Sequence, residues 1–295
     1  MTTRDELYAV LDRYAAALAA RDPAAAGMDA KAFITENNVA LAHGDGLWNT
    51  ITRLGPYDLR FADVRTGQVA LFTCVEETDA LSPAAIRLEV RGGAVIGVET
   101  VVARNKDEGF PFLGQKFEDK PAMLAVVPEG ERSDREELLR ISDGYFETIE
   151  RNDGTIRTRF HPDCNRVENG VQTTNNATFP LPIARLGCEE QFRMGWYRYD
   201  DRLRGRRFPL VDEERGIVLA HGFIDHRGIV GDYELTDGTP ASSPVRRPHS
   251  YYLAEAFKIR KGAIEQVEAV FHTVPYNMPS PWDEPGAGRE RERGA

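Results

Sequence analysis

The chain has 295 residues, of which 41% are hydrophobic, enough to bury the core of one large domain or two ordinary ones. Its formal charge of −10 at pH 7 argues against nucleic acid as a partner, because binding phosphates requires a basic surface. The three cysteines, an odd number without CxxC spacing, predict neither a disulfide framework nor a zinc site. The sequence has no apolar leader and no apolar stretch of membrane-spanning length, so we expect a cytoplasmic protein.

The first part of the chain predicts a helix followed by strands. Residues 7–22 carry apolar side chains at helical spacing, which indicates an amphipathic helix. The segments ITENNV at 34–39 and GQVALFTCVEE from residue 67 favour strands, since the second in particular is rich in β-branched and aromatic residues. LEVRGGAVIGVETVVAR, from residue 88, has a glycine turn between two such runs and predicts a hairpin.

The same four blocks recur in the same order in the second part of the chain. Residues 138–153 repeat the helix, and RVENGV at 166–171 repeats the segment after it. GIVLAHGFIDH from residue 216 and FKIRKGAIEQVEAVFHT from residue 257 repeat the later strands, with insertions near 199–214 and 226–250. This order predicts a duplication in which each copy is an α+β unit of one helix and an antiparallel meander.

The repeat also predicts the domain boundaries. The first domain covers residues 1–104 and the second covers residues 135–282. Residues 105–134 are rich in charge, glycine and proline, which is typical of a linker. The polar segment 283–295 predicts a disordered tail.

Several segments carry a resemblance to a known family. RYAAALAARD at 13–22 and AEAFKIRKGAIEQVEAVF at 254–271 closely resemble segments of ketosteroid isomerases and their NTF2-like relatives. GDGLW at 44–48, NRVENGVQTTNN at 165–176, VDEERGIV at 211–218 and PYNMPSPW at 275–282 resemble a two-domain group of NTF2-like (SnoaL-like) proteins. The resemblance implies an α+β fold of two tandem cone-shaped barrels, which pack through their sheets as an intrachain pseudo-dimer.

The resemblance also implies a site in the second copy. Tyr145 matches the tyrosine that lines the cone, and Glu255 matches an acid that donates a hydrogen bond. The proton-transfer base falls at Glu168 or Asn169, and strand alternation allows only one of these neighbours to face inward. The first copy has Ile86 where the second has Glu255, so we expect the second cone to be active and the first to be structural.

Other polar residues near these positions are further candidates, because histidine beside a carboxylate can transfer protons near neutral pH. His221 and Asp225 differ in strand parity from His226, so the three cannot all face one pocket without a bulge in the strand. The acid–base candidates are Asp163 and His226, and the substrate-binding candidates are Arg166, His161, Asn175, Asp225 and His221. Neither metal-binding nor nucleotide-binding spacing occurs, so we expect no metal and no cofactor.

The predicted function is a cofactor-independent lyase or isomerase acting on a hydrophobic, aromatic small molecule. The reaction classes that the resemblance implies are dehydration, isomerisation and retro-aldol release of formaldehyde, for instance from a lignin-derived dimer. The base is Glu168, Asp163 or His226, while Tyr145, Arg166 and Glu255 stabilise the developing charge. The alternative is a non-catalytic protein that binds a small molecule or a protein partner with the same fold. Homo-oligomerisation is left open.

Overall fold

The computed structural model describes residues 2–104, 117–118 and 120–282. The predicted tail at 283–295 and part of the predicted linker, residues 105–116 and 119, lie outside the described residues. The remainder of the predicted linker contains a short helix and a 3₁₀ turn, and the helix contacts both halves of the chain. There Met123 is fully buried, and the Val127 amide donates to the Glu214 carbonyl at 3.0 Å.

The first half opens with the predicted helix, which begins at a capping box. The Thr3 hydroxyl accepts from the Glu6 amide, and the Glu6 carboxylate accepts from the Thr3 amide at 2.7 Å. The helix ends at Arg21, whose φ of 56° is left-handed. The elements are α1 (Arg4–Ala20), β1 (Met28–Glu36), β2 (Val39–Leu41), α2 (Leu47–Thr50), β3 (Ile51–Leu54), β4 (Leu59–Asp63), β5 (Gln68–Glu77), β6 (Ala80–Arg91) and β7 (Ala94–Val102), with a 3₁₀ turn at Pro23–Ala26.

The second half repeats this order with insertions. Its helix is capped by Asp134, whose side chain accepts from the Glu137 amide at 2.8 Å. The elements are α3 (Pro121–Leu124), α4 (Arg135–Arg151), β8 (Phe160–Glu168), β9 (Val171–Gln172), α5 (Cys188–Arg193), β10 (Arg202–Asp212), β11 (Ile217–His226), β12 (Asp232–Glu234), β13 (Pro240–Ser242), β14 (His249–Arg260) and β15 (Ala263–Val274), with 3₁₀ turns at Glu129–Glu131 and Pro182–Arg185.

Each half is built around one large sheet. The strand order is β2-β1-β7-β6-β5-β3 in the first half, where β4 also pairs with β5, and β10-β11-β14-β15-β8-β9 in the second. The glycine turns form the predicted hairpins, in which Arg91 pairs with Ala94 and Arg260 pairs with Ala263. The prediction of a purely antiparallel meander was wrong. The first long strand of each half, β1 or β8, pairs in parallel with the last, β7 or β15.

The same turn follows the first strand of each half. Asn169 has a φ of 47°, and its side chain exchanges hydrogen bonds with the backbone of Phe271, at 3.2 Å to the carbonyl and 2.9 Å from the amide. Asn37 also has a φ of 47° and makes the same pair of bonds with Val102. Asparagine suits both positions because it tolerates left-handed backbone and its amide can donate and accept.

A buried layer lies between the two sheets, on the faces opposite α1 and α4. Aromatic and aliphatic side chains from both halves form one cluster, including Phe61, Phe72, Val101, Phe223, Tyr252 and Val270. Within this layer the fully buried Glu99 pairs with Arg87 at 2.8 Å and with Arg207 at 2.5 Å. Burial raises the pKa of Glu99, but the surrounding cationic groups outweigh it and hold the pKa below its ordinary value.

Candidate functional site

The second half encloses a cavity of about 260 Å³ between α4, the inner face of the sheet and the loops that cover it. Most of its wall is apolar or aromatic, which suits a hydrophobic small molecule. The aromatic side chains of the wall are Tyr145, Phe179, Trp196, Tyr197, Tyr199, Tyr251 and Phe271.

Strand alternation brings the polar groups of the cavity together. Glu255 on β14 pairs with Ala269 on β15, and Ala269 pairs with Glu168 on β8, so the two glutamates share one row across the sheet. Arg166 lies two residues before Glu168 and therefore points to the same face. Tyr145 reaches this row from α4. The structure therefore places Tyr145, Arg166, Glu168 and Glu255 in one cavity.

Glu255 is a buried acid with only 4% of its surface exposed. Burial and the nearby Glu168 carboxylate raise its pKa to about 8, and the influence of Arg166 and a hydrogen bond with Tyr145 oppose this rise only in part. Burial and the neighbouring Glu255 also raise the pKa of Tyr145 well above its ordinary value. At neutral pH both groups are hydrogen-bond donors inside the cavity.

Arg166 is fixed by a network of polar side chains. It donates to the Gln191 amide oxygen at 2.5 Å and to the Tyr197 hydroxyl, and it lies 3.5 Å from the Tyr145 hydroxyl. Its guanidinium pairs with Glu168 at 3.3 Å, and Thr173 donates to the same carboxylate oxygen at 2.5 Å. This network holds the Glu168 carboxylate in place against the cavity.

His226 also lines the cavity and forms a buried pair with Asp200. The His226 Nε2 atom lies 2.8 Å from Asp200 Oδ1, and the side chains are 2% and 6% exposed. Burial raises the pKa of Asp200, while the hydrogen bond with His226 opposes the rise. Among the described residues, His226 Nδ1 has no hydrogen-bond partner.

The two asparagines predicted as site residues, Asn169 and Asn175, do not line the cavity. The structure separates the alternatives Glu168 and Asn169, because only Glu168 lines the cavity, whereas Asn169 forms the turn to Phe271. Asn175 also adopts left-handed backbone, with a φ of 49°, and its amide donates to the Cys164 carbonyl at 3.3 Å. Both asparagines shape the backbone, which corrects their prediction as site residues.

His161 and Asp163 are at the surface of β8 and not in the cavity. Their side chains are 38% and 92% exposed, and the two groups lie 3.8 Å apart. Their strand positions precede the row of Glu168, near the opposite end of β8. The prediction of Asp163 as a base and of His161 as a substrate contact is therefore corrected.

His221 and Asp225 face away from the cavity, as their parity relative to His226 requires. Asp225 is fully buried and pairs with Arg202 at 2.6 Å and with Arg204 at 2.8 Å. His221 lies in the layer between the sheets, 3.4 Å from Glu99, and burial lowers its pKa to about 3. These residues stabilise the sheet and do not meet a ligand in the cavity, which corrects their prediction as binding residues.

The corresponding space in the first half is nearly closed. It measures about 10 Å³, and Trp48 packs edge-on against Tyr14 with ring centroids 5.5 Å apart. Glu36 accepts from the Leu47 amide at 2.7 Å and pairs with Arg104 at 2.6 Å. Ile86 pairs with Thr100, the partner of Glu36, and so occupies the place that Glu255 has in the second half.

The sequence reasoning missed Asp200, Gln191, Tyr197 and Thr173. Gln191 lies on α5, and the other three lie in loops. The repeat does not single them out, although Asp200 lies in the insertion near 199–214. Among the described residues no group of three or more histidine, cysteine or acidic side chains is arranged to hold a metal ion. No helix in the described ranges is both long and apolar enough to cross a membrane.

Each comparison with known proteins that gives a match covers less than half of the chain. Residues 131–271 match the model of a family described as a domain of unknown function (DUF8021), which is just under half of the chain. No curated protein matches. A putative ketosteroid isomerase from Kribbella flavida is 15% identical, with 40% of this chain and 91% of that chain covered and a TM-score of 0.30.

Two further solved structures give similar values. A putative polyketide cyclase from Xanthomonas campestris pv. campestris is 13% identical, with 34% of this chain and 92% of that chain covered and a TM-score of 0.29. An NTF2-like protein of unknown function from Cytophaga hutchinsonii is 11% identical, with 35% and 94% covered and a TM-score of 0.29.

Proposed function

We propose that this protein is a cofactor-independent acid–base enzyme, a lyase or isomerase acting on a hydrophobic aromatic small molecule in the cavity of its second half. The reaction classes are isomerisation, dehydration and retro-aldol release of formaldehyde, with a lignin-derived dimer as one concrete substrate. The observation that carries the proposal is the pairing of a neutral acid, Glu255, with a carboxylate, Glu168, in the same row of the cavity wall.

Each polar group has a role in this reaction. The Glu168 carboxylate, held by Arg166 and Thr173, removes a proton from the carbon beside a carbonyl group. Negative charge then develops on the carbonyl oxygen, which accepts hydrogen bonds from Tyr145 and the protonated Glu255. The proton returns from Glu168 to another carbon in isomerisation, or to a departing hydroxyl group in dehydration. In retro-aldol release Glu168 instead takes the proton of the β-hydroxyl group, the bond between the α- and β-carbons breaks to give formaldehyde and an enolate, and the proton returns to the α-carbon.

The architecture belongs to the same proposal. We regard the chain as two tandem NTF2-like units that form an intrachain pseudo-dimer, with domains at 1–104 and 135–282. Support comes from the repeated parallel pairing of first and last strands, and from the asparagine turns at Asn37 and Asn169. In this arrangement the second unit is catalytic and the first is structural.

Activity assays with matched variants of the two halves test the proposal. The panel contains aromatic alcohols, including lignin-type dimers, and ketosteroids. For a compound that is turned over, Tyr145→Phe and Glu168→Gln each lower kcat by about 100-fold, because each removes a group that acts in the transition state. The equivalent changes in the first half, Tyr14→Phe and Glu36→Gln, leave kcat unchanged.

Two outcomes would count against the proposal. Turnover that survives both Tyr145→Phe and Glu168→Gln would remove these residues from the mechanism. If compounds of the panel bind to the cavity but none is converted, the protein is a binding protein, which is the alternative function.

A further inference from the structure

The polar groups of the cavity form two sets that are separated along the strands. Ala220 on β11 pairs with Glu255, and His226 on the same strand pairs with His249, without a register shift between them. Six residues of strand span about 20 Å. This separation is much greater than the roughly 3 Å of a hydrogen bond, even when the side chains lean towards each other. Glu255 and His226 therefore do not act on the same atom of a substrate.

The wall between the two sets is apolar. On β14 the cavity-facing residues between the ends are Leu253 and Tyr251, and Leu253 pairs with Phe271 on β15. A ligand that reaches from one polar set to the other must therefore have a hydrophobic body. The aromatic rings along this wall favour a flat, aromatic body, because rings pack well on one another edge-on or offset.

His226 is held in one orientation at the far end. Its ring stacks on the ring of His249, with centroids 4.7 Å apart and an interplanar angle of 18°. The ring of Tyr199 also stacks with it, with centroids 6.2 Å apart and an interplanar angle of 24°. Tyr251 meets the ring edge-on at 4.9 Å. The Nε2–H group of His226 donates to the Asp200 carboxylate, so the second ring nitrogen, Nδ1, is left to bind a ligand.

We propose that Asp200 and His226 form a second polar subsite, which binds a hydroxyl group at the far end of an elongated aromatic ligand. This inference rests on the proposed function, since the reactive end of the same ligand lies at Glu168, Glu255 and Tyr145. Asp200 is a positioning residue that fixes the ring and its tautomer, and His226 Nδ1 contacts the ligand.

The chemistry of the subsite selects a hydroxyl group over other polar groups. A hydroxyl group can accept from a protonated Nδ1 and donate to an unprotonated one, so it suits either state of the imidazole. A ligand carboxylate would bring a second negative charge beside the buried Asp200, which is unfavourable in a site of low polarity. An ammonium group would have to compete with His226 for Asp200.

Calorimetric binding of two related probes to the full chain tests the subsite. The probes are 4-hydroxybiphenyl, which can place a hydroxyl group at one end, and 4,4′-dihydroxybiphenyl, which can place one at both. We expect the second hydroxyl group to tighten binding about five- to tenfold, the effect of one added hydrogen bond. This gain is lost in His226→Phe, which keeps an aromatic ring in the stack, and is reduced in Asp200→Asn.

The ratio of the two affinities separates the loss of a specific contact from general damage to the fold, because such damage would weaken the binding of both probes equally. The matched control is His161→Phe on the surface of β8, which keeps the gain. The proposed subsite is overturned if the second hydroxyl group does not tighten binding to the wild-type protein, or if the tighter binding survives His226→Phe. It is also overturned if neither probe binds. Turnover assays are independent of this ratio: a gain without turnover contradicts only the proposed reaction, and turnover without a gain contradicts only the subsite.

Discussion

Replacing Glu255 with glutamine changes how stability depends on pH. The pKa of this carboxyl group rises from an ordinary value of 4.5 to about 8 in the folded protein. Below pH 4.5 the group is protonated in both the folded and the unfolded chain, so it makes no difference to pH dependence there. Between pH 4.5 and about pH 8 the carboxyl group loses its proton in the unfolded chain and keeps it in the folded protein. Stability is therefore lost as pH rises through this window, by about 1.4 kcal/mol per pH unit.

The magnitude follows from the width of the window. Over its full width the loss is on the order of 5 kcal/mol, which is large beside the 5–15 kcal/mol of a typical domain. Glutamine resembles the neutral acid and cannot ionise, so Glu255→Gln escapes the loss. We expect the free energy of unfolding of the variant, relative to wild type, to increase by about 4 kcal/mol between pH 5 and pH 8, and to level off above that.

Urea denaturation, followed by tryptophan fluorescence and circular dichroism at several pH values, measures this difference. Taking the difference between variant and wild type removes the titration of the groups that lie far from Glu255. The exposed Glu234→Gln provides a control whose difference from wild type stays flat with pH. A flat difference for Glu255→Gln as well would refute the neutral acid, and with it the role of Glu255 as a donor in the cavity.

Two stability measurements test other parts of the structure. Asn169→Ala should cost about 3 kcal/mol in urea denaturation, because it removes two hydrogen bonds to Phe271 and leaves a residue with a side chain in left-handed backbone. Asn37→Ala should lower the free energy of unfolding by a similar amount. A loss below about 1 kcal/mol at both sites would contradict the role of these asparagines in stabilising the turns. Glu99→Gln should cost about 3–5 kcal/mol, because it leaves Arg87 and Arg207 without a buried anion, whereas a neutral effect would show that the ion cluster adds no stability.

The elements that could be predicted from the sequence are those specified by local pattern. The capping box at Thr3 and the spacing of apolar residues specify α1, and the RGGA and RKGA turns specify two hairpins. Parity along β11 correctly separated His226 from His221 and Asp225, because a strand presents alternate residues to opposite faces. The parallel pairing of β1 with β7 was not predicted, since it joins strands that are distant in sequence and leaves no local signal.

The same limit applies to the site. Tyr145, Glu168 and Glu255 lie on regular elements whose repeats could be compared, so their positions could be inferred. Asp200 lies in a loop, 26 residues before its partner His226, and contacts it because β10, which begins two residues after Asp200, pairs with β11. A contact of this kind depends on the tertiary path of an insertion, which neither periodicity nor the repeat specifies.

The difference between the two halves has a physical explanation in what lies on the two faces of the second sheet. One face of β11 and β14 lines the cavity, and the other face packs against the first half through Tyr252 and the Glu99 cluster. A row of donors and carboxylates is costly to bury, so the cavity needs a rigid support to hold it. In the first half, Trp48 fills the equivalent space and Ile86 replaces the acid, which turns a polar cavity into packed core. The first half thus packs on the outer face of the sheet whose inner face lines the cavity.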